Sequence, residues 1–172
     1  GGGVGYSAGD PLGRTPSSGT LSVSGSTFSS NTASSAAGGG GGLELYNFNL
    51  STSTYSVNSS TFSSNHATNG SGGAIIVESG PLTLTTSALT TNTAGNAGGA
   101  VFSAGSASAA SCRLVGNTAL NGQTLLKPGA VFTADDNWWG INTGPTMGDT
   151  AGTIPVASYL QLRISASSTE LC

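Results

Sequence analysis

Charged side chains are scarce in this sequence. The 172 residues include four Lys or Arg and seven Asp or Glu, about 6% of the chain, whereas soluble domains average roughly 25%. The net charge is −3, and the basic residues do not cluster. Because nucleic acids and anionic lipids are bound through clustered Lys and Arg, the sequence predicts neither as a partner.

Long apolar runs are also missing. The chain has no stretch of about 18 apolar residues that could span a membrane, and no charged leader precedes a shorter apolar run. We therefore predict no direct membrane insertion. The first residue is Gly1 rather than Met, which suggests a processed or partial product.

Cysteine and histidine are too few for the sites that they usually form. Two cysteines, Cys112 and Cys172, do not make a disulfide framework. We expect Cys112 to be a small buried hydrophobe, while Cys172 can pair with it, pair with another chain or stay free. The single histidine, His66, has no second His or Cys at ligand spacing, so we interpret it as a turn residue and predict no metal centre or cofactor.

What the chain does have is an internal repeat. The segment S-T-F-S-S-N-T-A at residues 26–33 recurs in related form at 60–67, 87–94 and 112–119. Its Asn positions are 34, 27 and 25 residues apart, a period typical of solenoids. The shared apolar and amide positions are Phe28, Phe62, Leu89 and Leu114, and Asn31, Asn65, Asn92 and Asn117.

Two further elements interleave with this repeat. Gly-Gly pairs stand at 2–3, 41–42, 72–73 and 98–99, and an alternating apolar pair precedes each of the first three Phe or Leu positions, as in Leu21 and Val23. Alternation at period two indicates strands with one inward face. We predict an all-β fold, a right-handed parallel β-helix of four to five coils with three short strands per coil.

Stacked coils would place the repeated residues in columns. The Phe and Leu side chains would form one internal column, and the Asn side chains a hydrogen-bonded ladder; the alternative is that Asn only suits a turn. Gly42, Gly73 and Gly99 fit corners that need a positive φ or a close backbone approach. A phosphate-binding loop is not favoured, because no Lys-Ser/Thr follows.

The pairing of F-x-x-N with G-G-A-I resembles the repeats of chlamydial polymorphic outer-membrane proteins and of related β-helix surface proteins. In those repeats a Cys or Ser commonly stands two places before the Phe, where Ser26, Ser60 and Cys112 stand here. The resemblance covers about residues 1–131. It implies the fold and an extracellular or cell-surface location, and it implies no particular activity.

The C-terminal part resembles the N-W-W-G-x-x-x-G-P segment that closes many secreted β-helices. We expect Trp138 and Trp139 to cover the last coil, with carbohydrate stacking as the alternative. Leu160, Leu162 and Ile164 alternate as one more strand. The predicted organisation is repeat coils over 1–134, the first of them incomplete, and a capping segment with the last strand over 135–172 of the same domain.

Acidic residues do not indicate catalysis. Asp135 and Asp136 would point to opposite faces of a strand, and a weak Ca²⁺ site with Asn137 stays open. Polysaccharide-active β-helix enzymes gather several carboxylates and a basic residue on one face, whereas the carboxylates here fall in different coils. We therefore predict no enzyme and no catalytic residues, with a polysaccharide lyase or hydrolase as the less favoured alternative.

The resulting functional hypothesis is a structural surface protein that self-associates or forms part of a longer array or filament. Its partners would be copies of itself or adjoining domains. The alternative is an adhesin passenger fragment that binds a host surface or glycans through loops after Ala33, Asn69 and Ala119. An ice-binding Thr face is not favoured, because the Thr pattern does not repeat across coils. Three N-x-S/T sequons are candidate glycosylation sites: Asn49, Asn58 and Asn69.

Overall fold

A computed structural model of the chain describes residues 2–8, 19–34, 39–47, 53–122, 125–127, 131–152 and 154–163. Within these ranges the regular secondary structure consists of 18 short strands, without a helix. In chain order they are β1 (Val4–Ala8), β2 (Thr20–Ser24), β3 (Thr27–Ser29), β4 (Thr32–Ala33), β5 (Leu43–Asn47), β6 (Thr54–Asn58), β7 (Thr61–Ser63), β8 (His66–Ala67), β9 (Ile75–Val77), β10 (Leu82–Thr85), β11 (Ala88–Thr90), β12 (Thr93–Ala94), β13 (Val101–Ser103), β14 (Ala107–Ala110), β15 (Arg113–Val115), β16 (Leu125–Lys127), β17 (Phe132–Thr133) and β18 (Thr150–Gly152).

The strands form four parallel sheets. Sheet A has the order β1-β5-β9-β13-β16-β18, sheet B β17-β14-β10-β6-β2, sheet C β15-β11-β7-β3 and sheet D β12-β8-β4. Successive strands pass from sheet B to C, D and A before the next coil begins, so each strand lies on its counterpart one coil away. The predicted all-β parallel β-helix is confirmed. Besides the three strands expected per coil, the structure has a fourth of two residues, in sheet D.

The predicted apolar column lies inside sheet C. Phe28 is opposite Phe62, which is opposite Leu89, which in turn is opposite Leu114. The rings of Phe28 and Phe62 stack with their centroids 4.6 Å apart and their planes 2° from parallel. The alternating residues of sheets A and B complete the core, for example in the row Leu43, Ile75 and Val101.

The Gly-Gly corners are places of close backbone approach. A Cβ at Gly41 would collide with the carbonyl oxygen of Gly73, and a Cβ at Gly73 would collide with that of Gly99. The strand register therefore places Gly41 level with Gly73. Gly42 lies instead level with Ala74, and a Cβ there would be 3.1 Å from Cδ1 of Phe62.

The expected last strand over Leu160, Leu162 and Ile164 is not formed in the part that the structure describes, which ends at residue 163. Instead, an isolated bridge joins Asn137 to Tyr159, and the side chain of Asn142 bonds the backbone of Leu162. Leu160 and Leu162 are 45% and 62% exposed. Their alternation therefore does not mark a buried face.

Two columns of left-handed residues turn the chain at the corners between sheets. Ser30, Ser64, Thr91 and Gly116 form one column, with φ between 54° and 68°. Gly25, Ser59, Thr86, Ser111 and Asp136 form the other, with φ between 48° and 57°. Because L side chains rarely adopt this conformation, the non-glycine members hold strain that the surrounding stack must offset.

Replacing one of these residues with glycine should therefore stabilise the protein. Thr86 is exposed and has a φ of 49°, so Thr86→Gly should raise the free energy of unfolding by roughly 0.5–1 kcal/mol, the left-handed penalty less the entropy cost of glycine. The control is Thr83, which is also exposed and lies in the same coil but has regular strand geometry. Urea denaturation should show Thr83→Gly destabilised; equal losses in both variants would contradict the strain argument.

Candidate functional site

The Asn column forms a continuous hydrogen-bonded ladder at the corner between sheets C and D. The backbone N–H and Nδ2 of Asn31 both donate to Oδ1 of Asn65, at 3.1 and 2.9 Å. Asn65 donates in the same way to Asn92, and Asn92 to Asn117. Asn65, Asn92 and Asn117 are at most 3% exposed, so the ladder satisfies polar groups inside the stack.

Each ladder amide also reaches back to the preceding coil. Nδ2 of Asn65 donates to the carbonyl oxygen of Phe28 at 2.9 Å, and Nδ2 of Asn92 donates to that of Phe62 at 3.0 Å. The turn-preference alternative does not explain these residues, because the left-handed position is the residue before each Asn, such as Ser64 and Thr91. Asn is needed here for its side-chain hydrogen bonds.

A second ladder runs along the corner between sheets B and C. The N–H of Ser26 donates to Oγ of Ser60 at 3.2 Å, and the N–H of Ser60 donates to Oγ of Ser87 at 3.1 Å. Farther along the column, the N–H of Cys112 donates to Oδ1 of Asn137 at 2.8 Å. The sequence has Ser or Cys at the first four positions of this column, but their part in a ladder was not predicted. Their constant position two residues before the Phe or Leu is the sequence feature that could have predicted this ladder.

Two members of this second ladder were named in the sequence analysis, Cys112 as a small buried hydrophobe and Asn137 in a Ca²⁺ site, and the burial of Cys112 is confirmed. Cys112 is a free, buried thiol, and burial raises the pKa of that thiol above its usual range. Cys172 lies outside the described residues. Asn137 is fully buried and donates to the carbonyl oxygen of Ala109 at 2.8 Å, so its side chain serves the stack rather than a surface cation.

Both ladders run in one direction, from the backbone N–H of one coil to a side-chain acceptor of the next. At the N-terminal end, no described residue donates to Oδ1 of Asn31 or to Oγ of Ser26. At the C-terminal end of the Asn column, the bridge between Arg113 and Trp138 places Asn142 level with Asn117, and the side chain of Asn142 bonds the backbone of Leu162. The two ends of the stack therefore differ chemically.

The core is also open at one end and covered at the other. Leu21, Val23 and Phe28 are partly exposed at the N-terminal end, whereas their counterparts one coil inward are at most 2% exposed. At the C-terminal end Phe132 is fully buried and Trp139 is 7% exposed. Ile154 and Val156 pack against the core there.

The two tryptophans have different positions. Trp139 is buried with the core, and no described residue accepts a hydrogen bond from its Nε1. Trp138 pairs with Arg113 at the edge of sheet C and is half-buried on the outside. It lines a surface groove with Leu160, Gln161 and Leu162. Only Trp139 therefore lies in the covered core.

One pair of carboxylates converges on the outside of sheet A. Glu44 is opposite Ile76, so Glu78 lies two residues along the neighbouring strand and on the same face. Burial raises the pKa of the Glu78 carboxyl, and the negative charge of Glu44 raises it further. We predicted that the carboxylates are scattered and did not predict this pair. Counting residues from the Gly-Gly corner of each coil would have found it.

The other candidate residues do not assemble into a site. His66 takes its place between Thr32 and Thr93 in sheet D, and the described residues include no cluster of three or more His, Cys, Asp or Glu. Oδ1 of Asp135 accepts the N–H of Ala157 at 2.6 Å, so this carboxylate anchors the C-terminal segment. Asp136 does not share a site with the buried Asn137.

The candidate glycosylation sites remain predictions. Asn58 and Asn69 are exposed, as a modified side chain must be. Nδ2 of Asn69 donates to the carbonyl oxygen of Ser34 at 3.3 Å, a contact that glycosylation would alter. Asn49 lies outside the described residues.

Residues 59–78 match the Chlamydia polymorphic membrane protein (Chlamydia_PMP) repeat. This segment contains β7, β8 and β9 with one rung of each ladder. The match indicates a surface or outer-membrane-associated repeat protein. Searches of curated proteins and of solved structures found no match, and the described residues include no helix long and apolar enough to cross a membrane.

The ladder predicts unequal effects for its end and its middle. Asn92→Ala removes the acceptor for two donors of Asn65 and leaves buried groups unpaired, so it should cost roughly 3 kcal/mol of unfolding free energy or more. Asn31→Ala, which removes no acceptor in use, should cost about 1 kcal/mol or less. Chemical denaturation measures both; similar losses would contradict the ladder.

Proposed function

We propose that the chain is a structural segment of an extracellular or cell-surface β-helix that associates end on end with copies of itself or with adjoining coils of a longer array. The observation that supports this proposal is the N-terminal end of the stack. There the core residues Leu21, Val23 and Phe28 are partly exposed, and Oδ1 of Asn31 accepts no hydrogen bond from the residues that the structure describes.

Covering this end would be favourable for two reasons. Fully burying a side chain such as Leu, Val or Phe contributes about 1.5–3 kcal/mol relative to leaving it exposed, and three such residues are already partly buried here. Edge strands also present unpaired N–H and C=O groups that pair readily with another strand. A further coil would satisfy both requirements at once.

The outer face of sheet B is less suited than the N-terminal end of the stack to contact another molecule. Its central row carries five aligned hydroxyls and no charged residue: Ser22, Ser56, Thr83, Ser108 and Thr133. Hydroxyls on an exposed face remain hydrated, and losing that hydration without replacement hydrogen bonds costs free energy. Association is therefore directed to the end of the stack.

The second candidate function is an adhesin passenger fragment that binds a host surface or glycans. It is favoured by the groove at Trp138, where the exposed Leu160 and Leu162 accompany an aromatic ring. An indole face and amide side chains suit an amphipathic ligand such as a sugar. Binding of glycans by monomeric protein would favour this function over the structural one.

The polysaccharide-active alternative is supported only by the pair Glu44 and Glu78. A neighbouring pair of carboxylates, of which Glu78 has a raised pKa, can divide the acid and base roles. Incubation with a panel of polysaccharides tests this alternative: product release that is lost in Glu78→Gln would establish it.

End-on association predicts a mass that depends on concentration. In sedimentation velocity over about a hundredfold range of protein concentration, the weight-average mass should rise above the 16.6 kDa of one chain. Electron microscopy of the concentrated sample shows whether the product is a discrete particle or a filament. Monomers alone at the highest concentration would contradict the self-association in this proposal.

A further inference from the structure

The open end has one strand that is well suited to pair with another molecule. β2, with the sequence T-L-S-V-S, is the edge of sheet B at the N-terminal end. It has five residues, more than the neighbouring edges β3 and β4 and as many as β1, the edge of sheet A. It contains neither a charged residue nor Pro, the usual devices that keep an edge strand unpaired.

The other edge of sheet B is protected. β17 has only two residues, and the N–H of Ala134, which follows it, donates to the carbonyl oxygen of Pro155. Phe132 is fully buried there. A copy of the chain that approaches with its C-terminal end would therefore offer neither an open core nor a long free edge.

The open end is complementary to itself. A twofold axis perpendicular to sheet B and midway between the Ser22 residues of two copies would set β2 antiparallel to β2 of the second copy. Leu21 of each copy would then be opposite Val23 of the other, and the two partly exposed cores would meet. Among the described residues, Oδ1 of each Asn31 has no donor and Nδ2 makes one bond, so each Asn31 brings an acceptor and an N–H donor to the contact.

We propose that two copies of the chain form a closed dimer through their N-terminal ends, with their β2 strands paired antiparallel about a twofold axis at Ser22. This inference rests on the proposed function, since it specifies the mode of end-on association. A twofold contact uses the same surface on both copies and closes at two chains. Isolated chains would thus give dimers rather than filaments.

Cysteine cross-linking tests the contact directly. In a Cys112→Ser and Cys172→Ser background, Ser22→Cys places one thiol at the proposed axis, and residues directly opposite on antiparallel strands have Cβ atoms about 5 Å apart. Mild oxidation should convert this variant into a covalent dimer. Thr83→Cys, in the same row but two strands inward, reports random collision, and Thr133→Cys reports the opposite end.

Each outcome decides the inference. Cross-linked dimers from Ser22→Cys alone support the twofold contact. A ladder of multimers from a variant carrying both Ser22→Cys and Thr133→Cys would overturn it in favour of head-to-tail stacking, while end-on association would stand. Absence of association in sedimentation of every variant and of the unmodified chain would overturn both the inference and the proposed self-association.

A charge at the axis provides a second readout. Ser22→Lys would bring two like charges together in the dimer, and this should weaken dimerisation at least about tenfold. Thr83→Lys is the matched control and should leave the dimer unchanged. Unfolding midpoints at low protein concentration verify that both variants fold; a Ser22→Lys dimer as tight as that of the unmodified chain would overturn the inference.

Discussion

Hydrogen bonds from the backbone of one coil to a side chain of the next are the interaction on which this structure depends. The coils differ in length, as the ladder spacings of 34, 27 and 25 residues show. Loops absorb the difference only if the corners keep their register. The Asn and Ser ladders provide that register, since each rung pairs a backbone N–H that would otherwise be buried without a partner.

The same interaction makes the stack directional. Every rung points its acceptor toward the N-terminal end, so Oδ1 of Asn31 accepts no hydrogen bond from a described residue. At the other end Asn142, which is level with Asn117, bonds Leu162. The core differs between the two ends in the same way: it is partly exposed at Phe28 and covered at Trp139. The partly exposed end of the stack is therefore the surface on which the proposed association depends.

The sequence predicted the features that depend on spacing. Phe28 to Leu114 and Asn31 to Asn117 recur at equal offsets, and both columns lie in register in the structure. Sheet D escaped prediction because two residues such as Thr32 and Ala33 show no periodicity. Predicting the pair Glu44 and Glu78 would have required the register between coils of unequal length. The strand predicted over Leu160 and Leu162 is not formed, because alternation alone does not provide a hydrogen-bonding neighbour.

Hydrogen exchange at the rung amides is the most direct test of this account. The N–H groups of Asn65, Asn92 and Cys112 donate to side chains of the next coil, so they should exchange only through global unfolding, with exchange free energies equal to that from denaturation. Exchange of these amides by local opening, at a much smaller free energy than that of the strands around them, would contradict the claim that the ladders hold the coils together.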